Sequence, residues 1–165
     1  MQHITYPLNN GFIESWLVAG PHVHVVENLE QFQGPDYKQQ LVRAAYTQET
    51  GLNGQLPCEQ AELHVNDITL HWQLYRCQPD HFVDLTGFYH LTSHLRSWAY
   101  AELMLLQAGP ARLELTTNAP ADLWLNNQHI GHVNHFQHQI PLLSLIHISE
   151  PTRRTPISYA VFCLK

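Results

Sequence analysis

Apolar and polar residues alternate with a period of two through much of this chain, and the clearest instance is residues 68–76. There Ile68, Leu70, Trp72 and Leu74 fall on one side and Thr69, His71, Gln73 and Tyr75 on the other, the pattern of a strand with one buried face. Residues 112–117 (RLELTT) alternate in the same way. Residues 12–19 (FIESWLVA) and 97–106 (SWAYAELMLL) are apolar on both sides, as inner strands are. Gly20–Pro21 ends the first of these, and residues 22–26 (HVHVV) read as a second strand or as its continuation after a bend. Residues 82–85 read as a short strand after a turn at Pro79–Asp80, and Gly109–Pro110 reads as a further turn.

Residues 122–125 and 128–133 predict a hairpin about Asn126–Asn127, because asparagine tolerates the positive φ of a tight turn. One segment has helical spacing, residues 36–48. Leu41, Ala44 and Ala45 share a face, Asp36 and Gln39 form a capping box, and Gly51 stops the run. Short strands, turns about every 10 residues and one early helix predict a mainly β, antiparallel β-sandwich with one short helix.

The last segment is set apart. Residues 143–153 (LSLIHISEPTR) resemble the translation of a transposase-type library adapter, and residues 157–165 (ISYAVFCLK) resemble the far end of the same adapter. The resemblance implies a native domain over residues 1–142, with its C-terminal strands missing, and an adapter-derived tail over residues 143–165. Tyr159, Val161 and Phe162 are nevertheless good strand formers, able to pair with an open sheet edge. A sandwich lacking its last strands is expected to be poorly soluble.

Composition narrows the partners. The formal net charge is −6, with 8 basic and 14 acidic residues. Setting aside Arg153, Arg154 and Lys165 against Glu150 makes the remainder more acidic still. Nucleic acid and anionic membranes call for a basic face, so neither is an expected partner. No basic and apolar leader follows Met1, and no apolar run reaches the roughly 18 residues of a membrane span. The expectation is a cytoplasmic chain with Cys58 and Cys77 reduced.

At Trp124 a resemblance emerges. Residues 116–131 (TTNAPADLWLNNQHIG), which follow an R-L-E-L strand at 112–115, resemble a hairpin of galactose-binding-like jelly-roll domains. Residues 95–103 (LRSWAYAEL) and 14–21 (ESWLVAGP) are similar to accessory domains of bacterial glycoside hydrolases, including rhamnosidase-like enzymes. Asn127 stands where that hairpin commonly has glycine. The resemblance implies a non-catalytic module that packs on the catalytic domain of a larger carbohydrate-active enzyme, with carbohydrate as the implied ligand and no cofactor. Trp124, Asp122 and Asn126 are the candidate ligand-contact residues, since pyranose rings stack their C–H faces on aromatic rings. Trp16, Trp72 and Trp98 lie inside apolar strands and are expected in the core.

Two alternatives come from the residues themselves. Glu14, Asp84, Glu102 and Asp122 could serve a hydrolase if folding brought two of them together across a glycosidic bond. His22 and His24 share a side of a strand, a spacing used by zinc sites, with His64 or His71 as a third ligand. The series His129, His132, His135 and His138 reads as a polar edge or loop. No G-x-S-x-G, P-loop or Rossmann glycine pattern occurs, and neither Cys58 nor Cys77 sits in a nucleophile signature.

Overall fold

A computed structural model describes residues 6–27, 29–31, 33–37, 40, 56–65, 67–85, 87, 93–103, 109–117, 120–125, 128–133, 140–148 and 155–164. It is mainly β and antiparallel, as the alternation predicts. The strands are β1 (Ser15–Val25), β2 (Glu62–Val65), β3 (Ile68–Arg76), β4 (Ser93–Leu103), β5 (Gly109–Thr117), β6 (Ala121–Leu125), β7 (Gln128–Val133), β8 (Ile140–Ile148) and β9 (Thr155–Leu164). Seven of them form one sheet in the order β2-β3-β1-β4-β9-β6-β7, and β5 and β8 form a second, two-stranded sheet. A short 3-10 turn spans Leu29–Gln31.

The two faces of the large sheet carry different clusters. Ala19, Leu63, Val65, Trp72, Trp98, Tyr100 and Trp124 make one. Val18, Ala99 and Leu123 make the other, with Leu115 of β5 packed against them, which gives a sandwich-like arrangement. Register explains the sorting. Ala19 stands opposite both Trp72 and Trp98, and Val18 opposite both Gln73 and Ala99, so each strand sends alternate residues to the same side.

The strands expected at residues 12–19 and 22–26 merge into β1, Ser15–Val25, leaving residues 12–14 and 26 outside it, with a register shift between Ala19 and His22 where β1 bends along β4. Gly20 makes that bend possible. Its φ is +116°, and a Cβ there would stand 2.9 Å from the Arg96 carbonyl oxygen, so a side chain meets both strain and a clash. Beyond the bend, β1 leaves β3, which pairs with it only from Ser15 to Ala19.

The structure corrects several expectations. Residues 82–85 are not a strand, because side chains take their backbone N–H groups. Asp80 Oδ1 accepts from Phe82 N at 3.0 Å and Tyr75 Oη accepts from Asp84 N at 3.0 Å. Gly109–Pro110 is not a turn but the start of β5, opposite Ile148 and His147. A two-stranded ribbon leaves each strand one open edge, where a proline lacking its N–H breaks no ladder. Leu74 is 55% exposed despite its inward phase, because β2 pairs with β3 only over Ile68–His71.

Of the predicted helix, Tyr37 and Gln40 have helical backbone, and Gln40 N donates to Asp36 O at 3.0 Å. The rest of it, including the capping residue Gln39, lies outside the described residues. The boundary expected at residue 142 falls inside β8. β9 lies between β4 and β6, with Trp98 and Asp122 both opposite Ala160.

Candidate functional site

The side chains of greatest chemical interest stand on β4, β6 and β7, on the face that carries Trp72 and Trp98. Residues 121–124 of β6 are all buried, as suits a strand inside the sheet with cover on both sides. Asp122 has no exposed surface. A carboxylate in that position must be hydrogen-bonded, since an ionised group taken from water without partners is very costly. His129 of β7 supplies one bond, its Nε2 lying 2.7 Å from Asp122 Oδ1 while the imidazole keeps 34% of its surface. The same ring tilts against Trp124, with centroids 5.1 Å apart. The register shift between Leu123 and Trp124 puts Trp124 opposite His129 and brings the three side chains together.

Tyr100 and Trp98 follow on β4. Burial, then the nearby charge of Glu102, raises the Tyr100 phenol well above its usual range. Trp72 meets Tyr100 edge-on at 6.4 Å. Burial lowers the Arg96 guanidinium from its ordinary value, and its Cζ lies 5.9 Å from the Trp98 ring centre. Burial first, then the charges of His24 and Arg96, lowers His22.

A second group gathers where β1 begins. Asn9 and Phe12 bridge across Asn10 and Gly11, both at positive φ, the requirement of a tight hairpin turn that Asn-Gly meets best. Asn9 Nδ2 donates to Glu14 Oε1 at 2.8 Å, and His81 Nδ1 lies 2.9 Å from the same oxygen. Phe12 stacks flat on His81 at 4.1 Å. Burial, followed by the charges of Asp80 and Glu14, pushes the Cys77 thiol up. That is the opposite of an activated nucleophile. Cys58 and Cys77 are both free.

Of the ligand-contact residues expected from sequence, Trp124 is 4% exposed and Asp122 wholly buried. Neither therefore presents a face to a sugar in this arrangement. Asn126 lies outside the described residues. Glu102 and Asp122 are not brought together. Glu102 is exposed and stands four residues along β4 from Trp98, whose β9 partner also pairs Asp122. At about 3.3 Å per residue that step alone is about 13 Å, beyond the roughly 5–9.5 Å of a glycosidase pair.

Among the described residues no group of three or more His, Cys, Asp or Glu side chains could hold a metal. His64 and His71 do not join His22. They occupy the outer side of β2–β3, where His64 bonds Thr69 at 3.1 Å and Glu62 at 3.0 Å. His135 and His138 lie outside the described residues. Sequence reasoning read His129 only as part of a polar edge or loop, and passed over Arg96 and His81. The only signal for His129 was its place across a predicted hairpin from Trp124.

Comparison of the chain with protein-family models, curated proteins and solved structures returned no match.

Proposed function

We propose that residues 1–142 are a non-catalytic β-sandwich module, of the galactose-binding-like jelly-roll kind, that packs on the catalytic domain of a larger bacterial carbohydrate-active enzyme. The supporting observation is how the hairpin that carries the resemblance is used. Residues 121–124 are buried to the last side chain, and Asp122, Trp124 and His129 are bonded to or packed on one another. Such a hairpin stiffens a scaffold. Contact with a sugar through Trp124, Asp122 and Asn126 is the second role that the resemblance implies, and it requires the sheet around Trp124 to open. Calorimetric titration of the chain with neutral monosaccharides checks that second role, and absence of heat leaves packing alone.

In the same reading residues 143–165 are translated adapter, and β9 occupies a place that a native strand fills in the natural protein. One experiment tests both parts: reading the source genome downstream of the codon for Leu142. The expected result is an open frame that departs from the present sequence near residue 143 and runs into a glycoside hydrolase catalytic domain. A genomic frame that encodes the present residues 143–165 and stops at Lys165 overturns the tail assignment. A frame that departs near residue 143 but leads to no carbohydrate-active domain overturns the functional one.

A further inference from the structure

We propose that the exposed face of Phe12, with Asn9, Glu14 and His81 around it, is a platform for one ring of a neutral saccharide. The ligand class rests on reading the chain as a module of a carbohydrate-active enzyme, and the place rests on contacts at the start of β1. Trp124 is 4% exposed, so a sugar that meets the closed sheet needs another ring.

Two turns build the platform. Asn10 and Gly11, at φ 51° and 87°, fold the chain so that Phe12 N donates to Asn9 O at 2.8 Å. Facing them, His81 stands at φ 58° and its N–H donates to Gln78 O at 2.9 Å. A non-glycine residue at positive φ is held there by its surroundings. The two rings so placed lie flat on one another, with 4.1 Å between centroids and 4° between planes. His81 thus backs one face of Phe12. Phe12 keeps 50% of its surface, and the ring face turned from His81 is the one left to solvent. A ring already fixed from behind loses little side-chain freedom when a ligand stacks on it.

Polar groups with unused capacity surround the rings. Asn9 Nδ2 and His81 Nδ1 meet the same oxygen of Glu14, at 2.8 and 2.9 Å. Glu14 Oε2, Asn9 Oδ1 and His81 Nε2 have no further partner among the described residues. The two oxygens accept hydrogen bonds, and an imidazole nitrogen gives or takes one. A flat apolar face with such a rim matches a pyranose, whose C–H face is ringed by hydroxyls. Anionic saccharides fit poorly, because Glu14 and Asp80 already lie close together beside Cys77. Cationic ligands are held by aromatic cages, whereas this place offers a single ring face.

The test is saturation-transfer NMR and calorimetric titration of the full chain with methyl β-galactopyranoside and methyl β-glucopyranoside. At least one should bind, with saturation passing chiefly to the C–H protons of one ring face. Phe12→Ala should weaken that binding at least about 10-fold. Phe12→Leu should do the same, since it keeps apolar bulk in the hairpin without a flat face, and Phe12→Trp should retain binding. Leu74→Ala, on the other face of the sheet, should leave it unchanged. Binding undiminished in both Phe12→Ala and Phe12→Leu overturns the platform and leaves the carbohydrate-active reading standing. Failure of both glycosides to bind also overturns it, while the genomic frame past Leu142 decides that reading independently. Uptake of tetramethylammonium in place of the glycosides overturns it in favour of a cation site.

Discussion

His129 Nε2 lies 2.7 Å from Oδ1 of Asp122, joining a half-exposed imidazole on β7 to a carboxylate with no solvent contact on β6. The pair crosses the hairpin beside the Trp124 ring. Removing one hydrogen-bond partner of a buried polar group costs about 1–3 kcal/mol. His129 keeps 34% of its surface, so His129→Ala should lower stability by an amount near the low end of that range, read as a shift of the urea midpoint. Asp122→Asn, which keeps an oxygen acceptor, should lower it less. A His129→Ala midpoint equal to that of the unaltered chain would show that the pair contributes nothing.

Trp124 should behave as a core residue. Trp124→Ala should destabilise by about 3–5 kcal/mol, in the range for emptying a buried aromatic site, and Trp72→Ala and Trp98→Ala should do likewise. Leu74→Ala, at an exposed position of an apolar-phase residue, should stay within about 0.5 kcal/mol. Thermal or urea unfolding followed by circular dichroism distinguishes the two groups. A mild Trp124→Ala would argue that its ring is not a packing element and would reopen the question of a ligand.

Gly20→Ala tests the bend in β1. Both the positive φ and the 2.9 Å approach to the Arg96 carbonyl oppose a Cβ, so a loss of about 2 kcal/mol is expected. Gly11→Ala separates the two causes, since Gly11 has positive φ but open space around it. It should cost less than Gly20→Ala in the same unfolding measurement.

The pH dependence follows from His22. Its value in the folded chain lies below the ordinary 6.5, so the unfolded chain binds the proton more readily. Above that value His22 contributes no pH slope. As pH falls below it, the unfolded state gains protons first and stability declines, levelling off once the folded-state value is passed. His22→Asn should flatten part of the decline between about pH 7 and 5. Urea midpoints of both chains across that window check the sign, and a steeper decline in the variant would contradict it.

Local pattern carried much of the fold. Residues 68–76 alternate cleanly and became β3 without a shift in either boundary, because period-two apolarity leaves a strand little else to do. The hairpin around residues 126–127 was legible for the same reason. Residues 82–85 looked equally strand-like, yet Asp80 and Tyr75 captured their backbone groups. Periodicity cannot register a distant hydroxyl.

The chemistry was less legible. Trp124 stands beside a polar turn in the sequence, which favours exposure. Burial of a strand on both faces is set by what packs above and below it, and β6 is covered on both sides. Phe12 and His81 are far apart in the chain, and only the folded sheet stacks their rings.

The amino-acid sequence by itself determined the β class, the phase of a cleanly alternating strand such as β3 and the hairpin that joins β6 to β7, since these depend on side chains a few residues apart and on local backbone freedom. Tertiary structure alone decided strand order, the burial of Asp122 against His129, and the meeting of β1 with β4 beyond Gly20. Each of these depends on which segments pair across long loops, and register between distant strands is a property of the assembled sheet that no single segment encodes.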